Sequence, residues 1–142
     1  MPRRLSHIGP KGRVRMVDVG AKPVTARVAT ARARVFMHRD TLALLRDGQG
    51  PKGDVLATAH IAGVMAAKRT SEIIPLAHAL ALDGVDLAFT LDDESASIGI
   101  EARVRARGRT GVEMEALTAV PVAGLTLDDM LKAVDRGMVM GE

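Results

Sequence analysis

The sequence predicts an α+β fold, an antiparallel sheet with helices packed on one face. Three observations carry this. Residues from Arg27 to Met37 alternate, with Ala29, Ala31, Ala33, Val35 and Met37 on one side and Thr30, Arg32 and Arg34 on the other. Residues 85–91 and 98–107 alternate too, and only "DDESAS" separates them, which predicts a hairpin. Between and after these strands lie long Ala-rich segments with helix start and stop signals.

In chain order, residues 1–13 are polar, hold Gly9, Pro10 and Gly12, and are expected to be mobile. "MVDVGAKPVT" is extended and turns between Gly20 and Pro23. After the first strand, "RDTLALLRDGQG" predicts a short helix with Asp40 as N-cap and Gly48 as stop. "GQGPKGD" forms a loop. Asp54 then caps a helix that runs to about Ile73 and is limited by Pro75, because the residue before proline avoids the helical region. Its Ala57, Ala59, Ala62, Gly63, Ala66 and Ala67 allow close approach to another backbone. In the second hairpin strand, Ile98, Ile100, Ala102, Val104 and Ala106 share one face and Glu101, Arg103, Arg105 and Arg107 the other. "GRTG" leads into a last helix, Val112 to Val134, with a kink or break expected near 117–121 at Pro121. The order is strand, helix, helix, strand, strand, helix. The 142 residues suit one domain spanning 1–142.

Composition removes several functions. There is no Cys, so disulfides, iron–sulfur clusters and a thiol nucleophile are excluded. Two Phe with no Tyr or Trp leave little to stack nucleobases on, although the net charge of +3 favours polyanions. Nucleic acid is therefore not the expected partner. "MPRRLSH" is basic without a following apolar stretch, and no run of about 18 apolar residues is present. A soluble cytoplasmic protein without a membrane partner is expected.

The candidate chemistry lies at loop and helix ends. "GQGPKGD" and "RGRTGVEME" are glycine-rich, but neither is a P-loop. The bland reading is two turns; the functional one is anion binding at a helix start. His7, His38, His60 and His78 form no ligand pair, so no metal site is expected. His78 follows "IIPLA" and lies near Lys68 and Arg69 after one helical return. It is either an interior imidazole or an anion ligand. Thr110 and Glu113 fit a capping box, and Glu113 and Glu115, two apart, do not share a helix face. Asp129 and Lys132, three apart, do share one, as an exposed ion pair or as an acid–base pair. The chain has fifteen arginines and five lysines. Lysine persists at Lys22, Lys52, Lys68 and Lys132. Only lysine of the two exchanges a proton readily, so the rare lysines are the better proton-transfer candidates.

"MVDVGAK", "KGDVLATAHIAGVMAAKRTSEIIPLAHAL" and "GRTGVEMEALTAVPVAGLTLDDMLKAVDRGM" closely resemble the cyclic pyranopterin monophosphate synthase family, also called molybdenum cofactor biosynthesis protein C. The resemblance covers roughly residues 14–140. It implies a ferredoxin-like fold, a hexamer built from dimers, and active sites at a subunit interface. It implies a lyase that converts 3′,8-cyclo-7,8-dihydro-GTP to cyclic pyranopterin monophosphate and diphosphate. The purine's five-membered ring opens, the pterin closes, and the phosphate cyclises as diphosphate leaves. By position, the resemblance makes Asp129 the catalytic aspartate and gives Lys52 and Lys132 acid–base roles. It makes Leu76, Ala77, His78, Glu113, Met114 and Glu115 substrate-binding. Arg27, Lys68 and Arg69 would line the triphosphate site. No cofactor is implied, although Mg²⁺ can accompany the triphosphate.

Three departures bear on this. Ala77-His78-Ala79 stands where relatives usually read Cys-His-Pro, which loosens the histidine loop. Pro121 stands where they mostly carry serine. Relatives also continue into a lysine-bearing tail like "K-x-G-G-K-S-G"; without it, weaker substrate binding and slower turnover are expected. The competing function is a weak or inactive nucleotide- or RNA-binding module of the same fold. A third is an oligomer held by the Arg-rich sheet face and the Ala-rich helix, with no chemistry.

Overall fold

The structure, a computed structural model, describes residues 7–9, 12–48, 50 and 52–141. Alternating side chains build three long strands: β1 (Thr25–Phe36), β2 (Leu82–Asp92) and β3 (Ser97–Gly108). A fourth, β4 (Val139–Gly141), closes the sheet in the antiparallel order β2-β3-β1-β4. Residue patterning missed β4, which has only three residues and pairs with β1 at Arg34 to Phe36 alone. The helices are α1 (Arg39–Arg46), α2 (Val55–Lys68), α3 (Thr70–Ile73) and α4 (Glu113–Leu131). One helical crossover precedes the β2–β3 hairpin and a second follows it. With this strand order, that is the ferredoxin-like βαββαβ topology.

The registers confirm the predicted faces. Ala31 opposes Ala102, Ala33 opposes Ile100 and Val35 opposes Ile98, all towards the helices. Ile98, Ile100, Val104, Leu127 and Leu131 are fully buried there, each contributing about 1.5–3 kcal/mol of hydrophobic stabilisation. The opposite face is open and carries ion pairs, Arg32–Glu101 at 2.7 Å, Arg34–Asp92 at 3.7 Å and Arg105–Asp86 at 3.8 Å.

Helices α2 and α4 pack against each other and the sheet through small residues. Ala59, Ala119 and Ala123 have no exposed surface. A Cβ on Gly63 would come within 2.5 Å of a Leu87 methyl and 3.3 Å of the Ala119 carbonyl oxygen. Any side chain at Gly63 would have to push the Leu87 methyls aside and crowd the α4 backbone, so glycine suits this close point of the α2–α4 seam.

Local expectations fared unevenly. Asp54 caps α2, its Oδ1 accepting from the Ala57 N–H at 3.0 Å, and Gly48 ends α1 with φ +70°. Asp40 is not the N-cap of α1; it lies inside the first turn, and the cap position is His38, whose side chain makes no capping bond. The carboxylate that serves there is remote: Asp135 Oδ2 accepts from the His38 N–H and from the Thr41 hydroxyl, both at 2.9 Å. The helix expected to reach Ile73 breaks at Arg69, and α3 resumes at Thr70. The Thr110–Glu113 capping box does not form, since α4 starts from Val112 without a side-chain cap. Nor does α4 break at Pro121. The proline is on the solvent side, where water can replace the N–H that the Leu117 carbonyl loses. The expectation of mobility for residues 1–13 falls partly outside the described residues; within them, Ile8 pairs with Val14.

Candidate active site

The α2–α4 pair sets the geometry. Lys52, just before α2, lies beside Asp129 near the end of α4, so the two helices run antiparallel. The C-terminal end of α2 and the N-terminal end of α4 thus fall at the opposite end of the pair.

At that opposite end is a cavity of about 650 Å³. Three segments build it: Ile74–His78 with Leu80 ahead of β2, Thr110 to Glu115 at the start of α4, and parts of residues 7–22. Leu76, Ala77, His78, Glu113, Met114 and Glu115 all line it. Its walls are mostly apolar. Glu113 is exposed, whereas only 4% of Glu115 is. Burial raises the Glu115 carboxyl pKa, its own backbone N–H opposes the shift, and the negative charge of Glu113 adds to it. A nearly covered carboxyl in an apolar wall suits a ligand edge bearing N–H donors.

Arg27, Lys68 and Arg69 do not line this cavity. Arg27 is half-buried, with Nε 3.5 Å from the Gly108 carbonyl oxygen. Lys68 and Arg69 are exposed where α2 ends. Two lining side chains that can carry charge, Lys22 and His7, were not among the candidate site residues. Lys22 carried a signal, being one of the five lysines; His7 carried none.

At the other end, Lys132 Nζ lies 2.9 Å from Asp129 Oδ1 and Lys52 Nζ lies 3.7 Å from Asp129 Oδ2. All three side chains are about half exposed. The hydrogen bond from Lys132, then the charges of Lys132 and Lys52, hold the Asp129 carboxyl below its ordinary pKa. Spacing foresaw the Asp129–Lys132 pair; Lys52 joins it from 77 residues away.

None of Lys52, Asp129 and Lys132 lines the cavity. Asp129 is fourteen residues beyond Glu115 on the same helix, about 21 Å at 1.5 Å per residue. One copy of the chain does not bring the two groups together. Between them, the outer faces of α2 and α4 expose Ile61, Met65, Met114, Leu117 and Leu125. Among the described residues, no group of three or more His, Cys, Asp or Glu side chains could hold a metal ion. No helix there is long and apolar enough to cross a membrane.

Residues 16–142 match the profile of the MoaC family. Among similar curated proteins, the cyclic pyranopterin monophosphate synthase of Heliobacterium modesticaldum is 60% identical over 138 residues, covering 97% of this chain and 87% of that protein. The protein of the same name from Chloroflexus aurantiacus is 60% identical over 134 residues, covering 94% and 82%. That from Thermomicrobium roseum is 57% identical over 136 residues, covering 96% and 82%.

Proposed function

The chain belongs to the MoaC family, and from that premise we propose that it is a lyase of molybdenum cofactor biosynthesis. It converts 3′,8-cyclo-7,8-dihydro-GTP to cyclic pyranopterin monophosphate and diphosphate. Its sites form between copies of the chain, as in a hexamer built from dimers.

The observation that carries this reading is the separation of two complementary half-sites by one helix length. The Glu115 end offers an apolar cavity and carboxylates for the N–H donors of a guanine-derived base. Lys68, Arg69 and Lys22 supply cations near that end, and a triphosphate of up to about four negative charges needs several. The Asp129 end offers a carboxylate between two amines, which suits proton transfer during ring opening and closure. An antiparallel second copy laid along Ile61, Met65, Leu117 and Leu125 would face each cavity with the other copy's Lys52–Asp129–Lys132 group. A two-fold contact of this kind completes two sites at once. Asp129, paired and ionised, accepts and orients; Lys132 and Lys52 give and take protons. The reaction needs no resident cofactor beyond any Mg²⁺ that travels with the triphosphate.

The test is diphosphate release from the cyclised GTP. Asp129→Asn and Lys52→Ala should each lower kcat by about 10²–10⁴-fold with circular dichroism unchanged, because both side chains are largely exposed. Absence of turnover by the unaltered protein would overturn the reading.

A further inference from the structure

We propose that Asp135 is a positioning residue that holds Lys132 and Lys52 in register with Asp129. The inference rests on the proposed function for its kinetic consequence, but its geometry is independent of it.

Asp135 is one of two buried carboxylates among the described residues, the other being Glu115, and its side chain has no exposed surface. It ties the start of α1 to the segment that follows α4. Oδ2 accepts from the His38 N–H and the Thr41 hydroxyl, and Oδ1 accepts from the Gly137 N–H, each at 2.9 Å. His38 Nε2 lies 3.8 Å from Oδ1. The Asp135 backbone N–H donates to the Leu131 carbonyl at 2.9 Å. Burial alone would raise the Asp135 pKa, but the His38 and Gly137 N–H groups, the Thr41 hydroxyl and the His38 imidazole together lower it.

These bonds bear on both lysines. Lys132 is the C-cap of α4, a place where helices fray because the last carbonyls lose their donors. It lies in a single turn whose ends, Leu131 and Asp135, are both buried. Release of Asp135 frees one end of that turn. Lys52 follows α1 by six residues, and α1 begins at the backbone N–H that Asp135 holds. The far side of α1 is tied to the β2–β3 turn by Arg39, which donates to the Asp93 carbonyl at 3.1 Å, and by Arg46, which pairs with Asp93 at 2.9 Å. Asp135 is thus the tie between α1 and the turn carrying Lys132. Cap substitutions usually cost stability alone. Here the cap also sets the distance between two amines and the carboxylate they flank.

The test uses Asp135→Asn, which keeps the shape and one acceptor oxygen, and Thr41→Val, which removes one donor. The charged groups around Asp129 are Lys132 on its own helix, Lys52 from the preceding loop and the adjacent Asp128. Titration of the Asp129 carboxyl, followed by carbon NMR without substrate, reads their placement directly. In Asp135→Asn it should occur at higher pH than in the unaltered protein, because both amines stand further off. For diphosphate release, kcat should fall about tenfold or more while KM stays within about twofold. Thr41→Val should shift both readouts the same way and less. A folded Asp135→Asn with the Asp129 titration and kcat unchanged would sink the proposal. If Asp135→Asn does not fold, an unshifted Thr41→Val does so instead. If the unaltered protein has no turnover, the functional reading fails, and the NMR titration still decides the positioning role.

Discussion

The two ends of the α2–α4 pair hold the same functional group in opposite surroundings. Glu115 is covered, sits in an apolar wall beside a second carboxylate, and binds its proton more tightly than usual. Asp129 is exposed, sits between two amines, and releases its proton more readily. Two carboxylates driven apart in this way suit different tasks. The covered one suits the reading of a neutral donor edge, and the exposed one suits a charge kept beside two amines. A chain that needed only to bind a nucleotide would have use for the first end and none for the second.

The sharpest way to break the comparison is to damage each end in a different copy. Alone, the Asp129→Asn protein should be nearly inactive and the Glu115→Gln protein should keep about a tenth of the activity or less. Dissociated, mixed and reassembled, they should recover about a quarter of the unaltered activity, from half the pairs having one intact site of two. No recovery, in demonstrated mixed assemblies, would mean that each site is built within a single copy. A smaller effect is expected from Glu115→Gln on its own. Steady-state kinetics should show kcat/KM lowered by about 10–100-fold, the range for a hydrogen bond to a charged partner. The same variant should melt higher than the unaltered protein at neutral pH. The raised Glu115 pKa opposes folding above its folded value, and the difference should close as pH falls below the ordinary value of 4.5. The smallest effect belongs to Asp135. Its lowered pKa stabilises the fold above the ordinary value of 3.8, and that contribution is lost as pH falls through the folded value. The gap in melting temperature between the unaltered protein and Asp135→Asn should therefore narrow below about pH 3.8.

Period-two patterning placed β1, β2 and β3 from the residues alone, because each is long and buries one face. β4 escaped because three residues carry no period. Local rules failed where a distant partner took over. Asp40 and Thr110 had the right spacing for caps, yet α1 is served by Asp135 from 97 residues away, and α4 starts without a side-chain cap. Pro121 announced a break that its solvent-side position made unnecessary. For the site, the i, i+3 spacing of Asp129 and Lys132 was sufficient, and the substrate-binding positions implied by the family resemblance all reached the cavity wall except Arg27, Lys68 and Arg69. The helix predicted over Val112 to Val134 already set Glu115 and Asp129 a helix length apart; no local feature could have shown that Lys52 joins Asp129, since that follows from the antiparallel packing of α2 on α4.

The seam around Gly63 has a further consequence. Alanine and glycine have no bulk of their own to give up, so a larger side chain there finds room only at the expense of a neighbour such as Leu87. Enlarging any one of them would wedge the helices and displace both half-sites together. The span between the Glu115 end and the Asp129 end is thus set by how closely the two helices lie, like the jaws of a locked caliper.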